Sequence, residues 1–273
     1  MEKTFLQKED YTEACCVRQK PDSITPVPVK RVLDKLDEYL GCNDYESAER
    51  HLLYWRTEAE TTGDRRGLLT VLNEQIGLYR KLNRKTEGLA AVDAALALAE
   101  ELDIGETAAM GTTLINAATA CRAFGDAQKA LPMYERAQKI YECILAPDDS
   151  RLGGLCNNMA LTVLDLGDYR KAEKLFGKAL SVMERVPNGE AEQAVTYCNL
   201  ADLAAAELGM EAGEKKIETY LDQAQTLLDT PSLPHDGHYA FVCEKCAPVF
   251  RYYGFFAAGE KYEKLAREIR KRV

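Results

Sequence analysis

The sequence predicts an all-α fold of repeated antiparallel helical hairpins, and three observations predict it. Ala and Leu make up about a quarter of the 273 residues, a composition that favours helix. Two segments align without a gap at a period of 42 residues. Within each copy, apolar and small residues recur at three- and four-residue spacing, the mark of one helical face, on both sides of a Gly-Asp pair.

In chain order, Val32, Leu36 and Tyr39 predict the first helix of a hairpin, and Tyr45, Ala48, Leu52 and Trp55 its second. Leu72, Ile76 and Tyr79, then Gly88, Val92 and Ala95, predict the next. The clearest pair follows. Leu114, Ala117, Ala118 and Cys121 lead through Gly125-Asp126 to Ala130, Tyr134 and Ala137, and 42 residues later Cys156, Met159, Ala160 and Val163 lead through Gly167-Asp168 to Ala172, Phe176 and Ala179. The glycine suits a left-handed C-terminal cap and the aspartate an N-cap. Tyr197, Leu200, Ala201 and Ala204 begin a fifth hairpin, with a longer connection expected around Gly209–Gly213 before Ile217, Leu221 and Ala224. Cys243, Cys246, Ala247 and Phe250, a turn near Gly254 and a closing helix to Val273 complete a count of about six. Pro147, Pro187 and Pro231 each follow a second helix, where proline stops continuation. Pro248 falls inside a predicted helix and is expected to kink or weaken it.

These features resemble the tetratricopeptide repeat family over about residues 30–273, most specifically in the small residues Ala130, Ala137, Ala172 and Ala179. The family's usual period is about 34 residues. The eight extra residues here add about 12 Å of helix across each hairpin. Residues 129–142 and 156–176 are similar to the longer repeats of kinesin light chains and related bacterial proteins. The resemblance implies a right-handed superhelical solenoid whose first helices line a concave groove. It also implies a protein or peptide ligand held there.

Residues 1–29 lie outside the pattern. Pro21, Pro26 and Pro28 predict an extended linker, preceded by a segment that is either a short helix on the first repeat or a mobile arm. The expected organisation is therefore an arm and Pro-rich linker at 1–29 and a repeat domain at 30–273.

Composition excludes several functions. The net charge of −9 gives no general basic footprint for nucleic acid. The apolar stretches, such as 94–99, fall well short of the ~18–20 residues of a membrane span. The N-terminus has no apolar core for a signal peptide, and nine cysteines form an odd count, which suits reduced thiols in the cytoplasm. No phosphate loop, dinucleotide fingerprint or nucleophile elbow occurs, so neither catalysis nor a cofactor is expected. The acid pairs Glu100-Glu101 and Asp148-Asp149 read as solvated helix ends.

Three groups of residues carry chemistry. His235, His238, Cys243 and Cys246 supply the residue types of a zinc site, but Cys243 and Cys246 occupy the repeat slots of Cys156 and Met159, which face the core. Cys15 and Cys16 are adjacent thiols with nothing nearby to activate them. The better signal is a stripe of Asn116, Asn158 and Asn199 at spacings of 42 and 41, with Asn157 and Asn73 one residue off the line. In the kinesin-light-chain-like subtype, asparagines at matching places hydrogen-bond the backbone of an extended peptide. An amide suits that task because it offers both a donor and an acceptor. Arg80 and Arg122, also 42 apart, are candidates to pair with a ligand carboxylate. Glu74 replaces asparagine in the second repeat and Leu164 replaces arginine in the fourth.

The leading expectation is a binding scaffold. A peptide-sensing regulatory domain acting through a separate effector, and a zinc protein, are the alternatives. The basic closing helix is either a solvated cap or a site for an anionic partner. Tyr252, Tyr253, Phe255 and Phe256 are either core, the favoured reading, or a dimer face.

Overall fold

The computed structural model describes residues 26–272. Cys15, Cys16 and Pro21 lie outside the described residues, as does Val273, the expected end of the closing helix. Among the described residues there are twelve helices and no strand. They pair as α1 (Val29–Gly41) with α2 (Tyr45–Thr62), α3 (Arg65–Lys81) with α4 (Lys85–Glu101), and α5 (Ala108–Ala123) with α6 (Ala127–Ile144). The remaining pairs are α7 (Ser150–Asp165) with α8 (Tyr169–Met183), α9 (Glu190–Leu208) with α10 (Met210–Leu228), and α11 (Gly237–Tyr252) with α12 (Phe256–Arg270). The six hairpins fall into two compact units, α1–α6 and α7–α12, divided between Ile144 and Leu145.

Five of the six turns inside the hairpins share one piece of local chemistry. The first helix ends on a residue with positive φ: Asn43, Asn83, Gly125, Gly167 or Gly254. The next residue's N–H then reaches back to a carbonyl five residues earlier, as in Asp44 to Tyr39 (2.8 Å), Asp126 to Cys121 (2.9 Å) and Asp168 to Val163 (3.1 Å). This is the Schellman closure, and it satisfies carbonyls the helix end leaves over. The aspartate then starts the second helix. Asp126 accepts from Lys129 N (2.9 Å) and Asp168 from Lys171 N (3.0 Å), as the Gly-Asp pairs predict. Asparagine serves in two of the turns because its short polar side chain tolerates the left-handed region.

In the first unit, α3 lies beside α5, while α2 packs on α3 and α4 on α5. Ala130, Tyr134 and Ala137 are fully buried in α6. Two glycines set the close approach of helices. A Cβ on Gly88 would stand 2.6 Å from the Phe124 ring, and one on Gly111 would stand 2.3 Å from the Tyr141 ring. In the second unit, α9 lies beside both α7 and α11. Its core joins Leu221, Phe250 and Tyr262 with small residues such as Ala201, Ala204 and Ala224. The repeat slots Ala172, Phe176 and Ala179 are buried in α8. Large ring in one slot, alanine a turn to either side: that alternation lets paired helices interlock without voids.

One local expectation is corrected, and at Pro248 the predicted helix is kept. Helix α11 continues through Pro248. Proline removes a single backbone bond there, and burial of Cys246, Ala247 and Phe250 on the same helix outweighs that loss. A second internal proline, Pro132, is likewise carried within α6, between buried Ala130 and Tyr134. The expected long connection at Gly209–Gly213 is a single residue, Gly209, because α10 begins at Met210. Gly213 lies in α10, where a Cβ would meet the Ala204 carbonyl oxygen at 3.1 Å, so this glycine serves helix contact and not a loop.

Candidate interaction surface

The asparagines sit on the first helices of their hairpins, and the structure links them in pairs. In the first unit Asn73 is buried in α3. Its amide donates to the Leu69 carbonyl and to Thr113 Oγ1, each at 3.0 Å, and its Oδ1 accepts from Asn116 Nδ2 at 3.0 Å. In the second unit Asn157 Oδ1 accepts from Asn199 Nδ2 at 3.0 Å and faces Thr196 Oγ1 at 3.3 Å. The asparagine–asparagine bond therefore recurs, with a threonine three residues before the second asparagine each time; Thr113 accepts from the Asn73 amide and Thr196 donates to Asn157 Oδ1. These amides tie neighbouring first helices together. Asn73 and Asn157, which the sequence places one residue off the line, are the acceptors in both ladders.

What remains for a ligand is smaller than the stripe. Asn116 and Asn199 are half-buried and keep their Oδ1 atoms without a partner among the described residues. Asn158 is half-buried, and its side chain makes no hydrogen bond to the described residues. The two kinds of asparagine should separate in stability. Both gain helix propensity on replacement by alanine, but only Asn157→Ala strands the Asn199 amide. Asn157→Ala is expected to be about 1 kcal/mol less stable than Asn158→Ala, checked by urea unfolding of the two variants.

Arg80 and Arg122 are half-buried, at the ends of α3 and α5. Their charge lies close enough to the Tyr134 hydroxyl to work against its burial, which pushes the phenol up to about 12. That hydroxyl pairs with Thr119 Oγ1 at 2.7 Å. At the place where Glu74 replaces asparagine, the carboxyl is wholly buried, and its Oε1 has no hydrogen-bond partner. Burial, and next the charge of Asp37, push its pKa up to about 8, so Glu74 is neutral at pH 7.

The four zinc-type residues are not brought together. His235 stacks on Tyr239 with ring centroids 4.4 Å apart, and His238 Nε2 faces Glu192 Oε1 at 3.3 Å. Cys243 and Cys246 are fully buried in α11. Desolvation pushes the Cys243 thiol up to about 12, and a hydrogen bond with Cys198 followed by burial raises Cys246 as well. Both therefore stay protonated and act as small apolar groups. Among the described residues no three His, Cys, Asp or Glu side chains gather as a metal would require.

Other surface features resolve simply. Glu100 and Glu101 pair with Arg136 and Arg65 of neighbouring helices, and Asp149 caps α7 through Arg151 N at 2.9 Å. In α12, Lys261 pairs with Asp229 (2.6 Å) and Arg270 with Glu244 (2.9 Å), so part of its positive charge is internally met. The aromatic run near Gly254 divides: Tyr253 and Phe255 pack on the core, while Tyr252 and Phe256 are 72% and 67% exposed. Sequence reading missed one arrangement altogether. Asp202 of α9 accepts from the Tyr253 hydroxyl at 2.8 Å, in the lining of an open cleft of about 630 Å³ between the C-terminal parts of α9 and α11. Only the 51-residue separation of the pair hides it, since nothing local to either residue signals the other.

Stacked antiparallel hairpins with small residues between paired helices and polar ladders along the first helices define a helical-hairpin repeat protein. The tetratricopeptide repeat model matches residues 67–142 and 155–212, and the chain belongs to that family. No curated protein matches it. Among solved structures it is similar to the nearly identical TPR-like repeats of a kinesin light chain from Podosopora anserina. That structure is 15% identical with a TM-score of 0.51, over 75% of this chain and 95% of that one. It is also similar to BtubC (BKLC) from P. vanneervenii, 19% identical with a TM-score of 0.49, over 90% and 92%. The first of these shares its fold with the present chain. Tetratricopeptide repeats generally mediate protein–protein interaction. No helix among the described residues is long and apolar enough to cross a membrane.

Proposed function

We propose that the protein is a non-enzymatic scaffold that holds an extended segment of a partner protein on the first-helix faces of its repeats. The observation that carries this reading is the free amide of Asn158, together with the Oδ1 atoms of Asn116 and Asn199, which have no partner among the described residues. Half-buried amide groups left open on a helix face suit the peptide backbone, whose donors and acceptors do not depend on sequence. Arg80 and Arg122 flank the first-unit face and suit a carboxylate of the ligand. Residues 30–273 would form the binding domain, and 1–29 an arm and linker. The seven described cysteines are free thiols, which fits work in the reducing cytoplasm.

The test is partner capture by the parent protein beside an Asn116→Ala/Asn158→Ala/Asn199→Ala variant whose circular dichroism and melting are first matched to the parent. Partners held by the parent and lost by the folded variant are expected. Equal capture by both proteins would make the asparagines purely structural and sink this reading.

A further inference from the structure

Helices α9 and α11 lie side by side, and their C-terminal parts line the cleft that also holds Asp202 and Tyr253. Ala205 and Met210 form one side, Val249 and Tyr252 the other. The walls are unusually open for apolar groups: Met210 is 51% and Tyr252 72% exposed. The Tyr252 and Tyr253 rings meet edge to face at 4.9 Å, which leaves ring surface turned outward.

The lining of this cleft carries a carboxylate without a cation partner among the described residues. Asp202 is half-buried, its one hydrogen bond comes from the neutral Tyr253 hydroxyl, and no lysine or arginine among the described residues pairs with it. Two other acids of the second unit do have cations: Asp229 has Lys261 and Glu244 has Arg270. A carboxylate drawn partly out of water loses solvation that a cation would restore.

We infer that the cleft receives a basic side chain, arginine in preference to lysine, from the bound segment of a partner protein. The inference rests on the reading that these repeats hold an extended partner segment, and it names one residue of that segment. Three features of the cleft match arginine. Its apolar stem fits along Ala205 and Val249. Its flat guanidinium stacks on a tyrosine ring. Its N–H groups reach the open Asp202 oxygen while the other stays on Tyr253. Lysine would satisfy the charge but is more strongly hydrated and cannot stack.

The probe is a set of N-acetylated, C-amidated octapeptides of Gly, Ser and Pro with Arg, Lys or citrulline at one central position. Titrations are followed by the Met210 methyl and the Tyr252 ring signals in NMR spectra of the full chain. The Arg peptide is expected to bind about tenfold more tightly than the citrulline peptide, which keeps the shape and loses the charge, with the Lys peptide between them. Asp202→Asn keeps the volume and the acceptor for Tyr253, and it should erase the difference between Arg and citrulline. Tyr252→Ala should weaken the Arg peptide severalfold and leave its advantage over citrulline in place.

Equal binding of Arg and citrulline peptides, or an Asp202→Asn variant that behaves as the parent, would overturn the inference. So would sedimentation showing a dimer that Tyr252→Ala dissociates, because the cleft would then be covered by a second copy. Partner capture separates the two levels of argument. Partners lost by the triple asparagine variant but kept by Asp202→Asn leave the scaffold reading intact and reject the arginine site. Partners kept by both variants reject the scaffold reading itself.

Discussion

At pH 8, Glu74→Gln is expected to stabilise the protein by on the order of 4 kcal/mol, and near pH 4.5 to leave its stability unchanged. The folded protein holds Glu74 at a pKa of about 8, against an ordinary value of 4.5, first because the carboxyl is buried and next because Asp37 lies near. Below pH 4.5 both the folded and the unfolded chain keep the proton, so the group costs nothing extra. Between pH 4.5 and 8 the unfolded chain releases that proton and the folded chain retains it. Folding then takes up a proton, and stability falls as pH rises until the folded group also ionises. Glutamine has no proton to lose and removes that slope. Urea unfolding of both proteins across this range reads the effect. A parent whose pH dependence matches that of Glu74→Gln would show that the carboxyl is not buried in solution.

Replacing Phe176 with alanine is expected to cost about 3–5 kcal/mol. The ring is fully buried in α8 between Ala172 and Ala179, so neither neighbour has a side chain long enough to fill the space. Tyr134 occupies the same slot one repeat earlier, 42 residues away, and offers a graded comparison. Tyr134→Phe keeps the ring and loses only the hydrogen bond with Thr119, a loss of about 1 kcal/mol. Hydrogen exchange locates the damage as well as its size. In a repeat protein each hairpin contacts mainly its neighbours, so protection in Phe176→Ala should fall most in α7–α10. A uniform loss across all twelve helices would contradict that local architecture.

Much of the fold was legible in particular residues. Gly125-Asp126 and Gly167-Asp168 marked their turns because left-handed φ and N-capping are properties of one or two residues. Ala130, Tyr134, Ala137 and their counterparts marked a buried face because their spacing matches the helical turn. Gly209–Gly213 misled, and Pro248 left its helix in doubt, for the opposite reason. A proline's tolerance and a glycine's use depend on what packs beside them, and α11 gains more from its buried face than one backbone bond is worth.

The candidate site was less legible. Neighbouring residues on a helix point about 100° apart, so whether Asn157 or Asn158 faces the next helix depends on how α7 and α9 are rotated against each other. The sequence shows the stripe but not that rotation. The off-line Asn73 and Asn157 proved to be the interhelix acceptors, and Asn158 the open amide. Thr113 and Thr196, each three residues before an asparagine, were the overlooked signal of the ladder.

The all-α class, the hairpins, the Gly-Asp turns and the family could be read from the sequence, because each rests on local backbone preference or on a repeated spacing within one chain segment. The packing of helices alone set which amides bind each other, that Glu74 Oε1 is buried without a hydrogen-bond partner among the described residues, and that Asp202 meets Tyr253 in the lining of an open cleft. Those outcomes depend on the rotation and approach of packed helices, which bring distant side chains within a few ångströms and set how much water each charge retains.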